Sequence, residues 1–256
     1  MKKPSGTSKS GSSGVGGGAR GLRVNVKTAG KRTVSSARWL ERQLNDPYVA
    51  ASKREGYRSR AAYKLIELDD KYKLLKPGQR IVDLGAAPGG WSQVAAARVR
   101  SIDGTGGQRG LVVAIDIDPM EALAGVDVLH LDFLAPHAED TLKQRLGGAK
   151  AHGVFTDMAA PTVGHSRTDH LRIMGLAEAA GLFAVDVLEP GGFFLAKVFQ
   201  GGSEKTLLEI LKRHFRSVRH VKPPASRSDS AELYVLATGF RIAPGAAAVD
   251  ETDADD

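Results

Sequence analysis

Cysteine is absent from the 256-residue chain. That excludes disulfides, thiolate metal sites and a cysteine nucleophile, and it suits a reducing compartment, so a cytoplasmic protein is expected. No apolar run approaches the roughly eighteen residues a membrane-spanning helix requires, so no membrane contact is expected. Lys2 and Lys3 are followed by no apolar segment, unlike a secretory signal. His152, His165 and His170 show no metal-ligand spacing, and no metal is expected. Acidic residues are missing from residues 1–36, which hold eight Lys or Arg.

That asymmetry runs through the chain. The net charge is +7, but residues 1–36 carry +8, residues 37–240 carry +3 and residues 241–256 carry −4. A basic balance is compatible with a polyanionic partner such as nucleic acid. Residues 1–36 are rich in Gly and Ser and poor in large apolar groups. Such a stretch buries too little surface to offset its ordering entropy, so it reads as a disordered tail. It is either a basic arm that adds phosphate contacts or a solubilising tail. Residues 241–256 read as an acidic solvated tail. One folded domain is expected over 37–240, and nothing argues against a monomer.

Within 37–240, short β-rich runs alternate with helical spacing. Strands are expected at 80–84, 111–116, 126–131, 152–157, 192–199, 217–221 and 233–240. Helices are expected at 59–75, 91–99, 141–146, 169–188 and 203–214, the last with Ser203 as N-cap. In 59–75, Ala61, Leu65, Leu68, Tyr72 and Leu75 form an apolar stripe flanked by Lys64. In 169–188, Leu171, Met174, Ala177 and Leu182 are assigned to one face. The alternation predicts an α/β fold, a mostly parallel seven-stranded sheet with helices on both faces. The last two strands have no helix between them, which predicts an antiparallel strand at or near the sheet's end.

Ligands of an open parallel sheet bind outside the carboxyl ends of its strands. Here those ends carry Asp83, Asp116, Asp132 and Asp157, with Lys197 near the end of the fifth strand. One such Asp is often only an N-cap; five polar groups on one edge point to a ligand. The loop after the first strand reads Asp83-Leu84-Gly85-Ala86-Ala87-Pro88-Gly89-Gly90-Trp91. Its glycines let backbone approach a ligand, and the next helix offers free N–H groups. It is neither G-x-G-x-x-G nor a P-loop. Asp116, 31 residues after Gly85, suits the two hydroxyls of a ribose; Asp132 suits an exocyclic amine. Trp91 either stacks near an adenosine or packs the helix start. The set describes a nucleoside cofactor without a phosphate cradle, which favours S-adenosylmethionine over a dinucleotide.

The segment Asp83–Gln93 resembles the cofactor loop of the FtsJ-like ribosomal RNA large-subunit methyltransferases. So do Arg58-Ser59-Arg60-Ala61-Ala62-Tyr63-Lys64-Leu65, Thr156-Asp157-Met158-Ala159, Lys197-Val198-Phe199-Gln200-Gly201 and Arg227-Ser228-Asp229-Ser230-Ala231-Glu232-Leu233-Tyr234. The likeness runs in order from about Trp39 to Phe240; Thr156 stands where the family usually has Ser. It implies a Rossmann-like methyltransferase fold, S-adenosylmethionine as cofactor and a Lys64, Asp157, Lys197, Glu232 catalytic group. The loop positions Asp83, Gly85, Pro88, Gly89 and Trp91, with Asp116, Asp132 and Asp157, are the implied cofactor contacts. The implied substrate is the 2′-hydroxyl of an A-loop uridine of large-subunit ribosomal RNA within the 50S subunit.

The chemistry demands a base for a weakly acidic hydroxyl. A lysine serves only as a neutral amine, which a second ammonium and desolvation favour and a carboxylate opposes. Lys197 is assigned as base, Lys64 as the group positioning the ribose, and the two acids as orienting groups. If the last strand is antiparallel, Glu232 at its start shares an edge with Asp157 and Lys197. Basic segments 38–64 and 205–227 suit phosphates, and Tyr57 and Arg58 suit stacking on a base. The alternatives are a methyltransferase of transfer RNA or the mRNA cap, a non-enzymatic ribosome assembly factor, and a dinucleotide-dependent oxidoreductase. The last lacks its glycine fingerprint.

Overall fold

The structure, a computed structural model, describes residues 33–105, 108–160, 164–199 and 204–242. The chain divides into two compact units, one ending at Asp46 and one beginning at Pro47. Nearly all of the tail residues 1–36 and 241–256, and the expected N-cap Ser203, lie outside the described residues. The first unit contributes α1 (Val34–Leu44), whose N-cap Thr33 accepts the Ser36 amide through its side chain.

The second unit holds α2 (Pro47–Glu55), α3 (Ala62–Tyr72), β1 (Arg80–Leu84), α4 (Gly90–Val99), β2 (Leu111–Asp116) and β3 (Val126–His130). These are followed by α5 (Ala138–Arg145), β4 (Ala151–Thr156), α6 (Ser166–Val187), β5 (Leu188–Phe199), α7 (Lys205–His214), β6 (Phe215–Val221) and β7 (Glu232–Phe240). The seven strands form one sheet in the order β3-β2-β1-β4-β5-β7-β6. β1 to β5 pair in parallel; β7 is antiparallel to both β5 and β6. The last strand is thus antiparallel, as expected, and it sits inside the sheet with β6 at the edge. Strand order reverses between β1 and its neighbours β2 and β4, which opens a crevice at the strand ends.

Alternation along the strands sorts side chains to two cores. Val82, Leu84, Val113 and Ile115 face α5, α6 and α7. Ile81, Val112, Phe155, Leu195 and Tyr234 face α3 and α4. Lys197 is two residues from Leu195, and Glu232 two from Tyr234, so both fall on the α3/α4 face.

Two helix expectations need correction. Only Met174 and Ala177 of the proposed α6 stripe are buried, with Ile173, Ala180, Phe183, Ala184 and Val187. Leu171 and Leu182 are 54% and 57% exposed. Eleven residues apart, they share the opposite face at 3.6 residues per turn. α3 also stops at Tyr72, short of Leu75, because Lys73 turns left-handed at φ 53° and its N–H closes on the Asp69 carbonyl.

Candidate active site

A cavity of about 790 Å³ opens at the carboxyl ends of β1, β2 and β4. Gly85, Asp116, Asp132 and Asp157 line it, joined by Phe133 and Leu134. Gly85 has φ +76°, and a Cβ there would lie 2.4 Å from Met158 Cγ, so only glycine fits. Asp116 accepts the Ala87 amide on Oδ2 and the Asp118 amide on Oδ1, each at 2.8 Å. The β2 tip thereby fastens the glycine loop. Asp132 accepts the Leu134 amide at 2.9 Å.

Four of the expected cofactor residues, Asp83, Pro88, Gly89 and Trp91, stand back from this wall. Asp83 is fully buried beneath it, accepting the Ser92 hydroxyl on Oδ2. Its Oδ1 is buried and has no hydrogen-bond partner among the described residues. Burial, with smaller pushes from Asp157 and Asp116, lifts its carboxyl to about 7, against the opposing Ser92 hydrogen bond. The Trp91 ring lies in the α3/α4 core against Phe155 and Tyr234, its Nε1 donating to the Ala61 carbonyl at 2.8 Å. Of the two readings left open for Trp91, packing of the helix start is the observed one. Pro88 presents its carbonyl to Arg58. Gly89 precedes α4 at φ +109°.

The four expected catalytic residues meet. Lys64 Nζ, from α3, lies 2.8 Å from each Glu232 carboxylate oxygen and 3.9 Å from Asp157 Oδ2. Lys197 Nζ donates to the Asp157 carbonyl and lies 3.2 Å from Asp157 Oδ1. Both lysines are only 8% exposed. Two ammonium groups facing two carboxylates give a near-neutral cluster, which is how buried charge is tolerated. Burial would raise the Asp157 carboxyl, but Lys197, Lys64 and a phenol hydrogen bond outweigh it and hold it below its ordinary value.

That phenol is Tyr234, which the sequence reading quoted without assigning a role. Its hydroxyl accepts from Lys64 Nζ at 3.0 Å and donates to Asp157 Oδ1 at 2.8 Å. It is therefore the link between the two ion pairs. Burial, then the Asp157 and Glu232 carboxylates, push it well above the phenol range, so it remains a neutral donor. The readable signal was position: two residues after Glu232 on one strand, hence the same face. Ser226 was also missed; its hydroxyl donates to Glu232 Oε1 at 2.8 Å. Tyr57 packs edge-on against Tyr63, and Arg58 hydrogen-bonds to backbone carbonyls, which differs from the base-stacking role expected for the pair.

The FtsJ-like methyltransferase family model matches residues 57–240. A Parvibaculum lavamentivorans protein named ribosomal RNA large subunit methyltransferase E is 61% identical over 236 residues, 91% of this chain and 92% of that one. A protein of the same name from Nitrobacter hamburgensis is 62% identical over 223 residues, 87% and 96% of the two chains. A crystal structure from Plasmodium falciparum, described as a ribosomal RNA methyltransferase, superposes with TM-score 0.63 at 31% identity, covering 72% of this chain and 98% of that one. The site, the strand order and these likenesses agree: the chain belongs to the FtsJ-like methyltransferase family.

Proposed function

We propose that the protein uses S-adenosylmethionine to methylate the ribose 2′-hydroxyl of an A-loop uridine in 23S ribosomal RNA, within the 50S subunit. It acts as a cytoplasmic monomer. The observation that carries this reading is the Lys64–Glu232–Tyr234–Asp157–Lys197 cluster, joined to the cavity wall through Asp157. The relatives' shared name, ribosomal RNA large subunit methyltransferase E, supports the substrate.

The cavity's chemistry fits the cofactor. Asp116 offers two carboxylate oxygens to a ribose diol, and Asp132 an acceptor to an exocyclic amine. The cavity-wall carboxylates of Asp116, Asp118, Asp132 and Asp157 favour a cationic guest. When bound, S-adenosylmethionine supplies a methyl group already activated by its sulfonium, so a carbon–oxygen bond forms as the carbon–sulfur bond breaks.

The protein's part is to orient the ribose and take its proton. Lys197 Nζ is the base for the 2′-hydroxyl proton; it can take that proton only after giving up the ammonium proton with which it pairs to Asp157 in the resting cluster. Asp157 aims Lys197 through its carbonyl and Oδ1. Lys64, held by Glu232 and Tyr234, positions the ribose oxygen. Transfer RNA and cap substrates would use the same group, so the substrate must be tested directly.

Labelled S-adenosylmethionine is incubated with the protein and unmodified large subunits, with free ribosomal RNA and transfer RNA in parallel. The expected product is one 2′-O-methylated A-loop uridine, abolished in Lys197→Ala with cofactor affinity retained. Label only in transfer RNA overturns the substrate; no label with cofactor bound favours an assembly factor.

A further inference from the structure

Among the described residues, the guanidinium of Arg58 is held by backbone carbonyls alone. Nη1 donates to the Glu121 carbonyl at 2.8 Å and the Pro88 carbonyl at 3.3 Å; Nη2 donates to the Ala122 carbonyl at 2.7 Å. These carbonyls belong to two loops, the glycine loop after β1 and residues 117–125 after β2. Among the described residues, the hydrogen bonds that reach 119–122 from elsewhere are these two. The 117–125 stretch begins with Ile117 and Asp118, both on the cavity wall. Asp116 fastens it at its near end, and Arg58 at its middle.

The surroundings are arranged for this crossing. A Cβ on Gly89 would lie 3.2 Å from Arg58 Cδ and Nη1 and 3.0 Å from Met120 Sδ. The arginine therefore runs close over bare backbone. Its own backbone is pinned: the Arg58 amide donates to Gln93 Oε1 at 2.7 Å, and Gln93 Nε2 donates to the Gly56 carbonyl at 3.1 Å. The guanidinium presents its donors from two separated nitrogens in a rigid planar fork, so it reaches carbonyls of both loops at once; a lysine offers its donors from a single nitrogen.

We propose that Arg58 is a positioning residue of the cofactor pocket, tying the β1 loop to the β2 loop and so setting the ribose slot that Asp116 serves. The inference rests on the cofactor reading above. Because Arg58 lies six residues before Lys64, the segment that leads into the catalytic helix also closes the pocket.

The test compares Arg58→Ala and Arg58→Lys with the wild type in full-length protein. Calorimetry with S-adenosylmethionine and S-adenosylhomocysteine should show about a tenfold weaker Kd for Arg58→Ala, roughly one charge-assisted bond's worth, and a smaller loss for Arg58→Lys. The KM for large subunits should stay within about twofold. Hydrogen exchange of ligand-free protein should quicken over 117–125 and stay unchanged in β1 and β4. An unchanged cofactor Kd, or a raised RNA KM with cofactor affinity intact, overturns the proposal. If the wild type binds no cofactor, the function reading falls, and the exchange comparison still judges the clamp. Should Arg58→Ala fail to fold, Arg58→Lys carries the same comparison.

Discussion

At the residue scale, Asp83 shows how one carboxyl shapes stability without touching the cavity wall. Its carboxyl is raised from 3.8 to about 7 in the folded protein. Between these values the unfolded chain releases the proton while the folded chain keeps it, so raising the pH through this window costs stability. Asn in its place does not titrate. The melting-temperature difference, Asp83→Asn minus wild type, is expected to grow from pH 4 to pH 7 and then level off, in scans of ligand-free protein. A flat difference would mean that Asp83 is ionised in the fold. Asp157 has the opposite sign: its lowered carboxyl contributes stability above the ordinary carboxylate range, and that contribution fades in acid.

At the scale of elements, α6 separates burial from hydrophobicity. Phe183 is 1% exposed in the core and Leu182, its neighbour, is 57% exposed. Phe183→Ala should cost about 3–5 kcal/mol, and Leu182→Ala within about 0.5 kcal/mol, by denaturant unfolding. The strands were legible because short β-rich runs between turns leave little choice: β1 and β2 have the bounds the pattern predicts. α6 was harder, since small residues such as Ala177, Ala180 and Ala184 line its buried face, leaving large leucines outside to mislead a size-weighted stripe. The end of α3 was hidden because Lys73 adopts a left-handed cap more usual for glycine. The meeting of Lys64, Asp157, Lys197 and Glu232 was legible because four widely separated motifs kept one order. Tyr234, Ser226 and the Arg58 fork were not, because their roles lie in three-dimensional contacts that spacing does not encode.

At the scale of the molecule, charge is divided along the chain. Removing residues 1–36 would take the net charge from +7 to −1, outside the stretch the family model matches, 57–240. If those eight cations meet phosphates, the truncated protein should bind large subunits more weakly and with a shallower dependence of log affinity on log salt. Its S-adenosylmethionine affinity should be unchanged; equal salt slopes would assign the segment to solubility. The order of the sheet has a further consequence for the protein's own synthesis. Glu232 comes 168 residues after the lysine it holds, on the strand that enters between β5 and β6. A ribosome that has made 231 residues has supplied Lys64, Asp157 and Lys197 but neither Glu232 nor Tyr234. The nascent chain therefore gains its finished sheet and its balanced pair of lysines together, as that one strand is made, and a fragment cut short before it has neither.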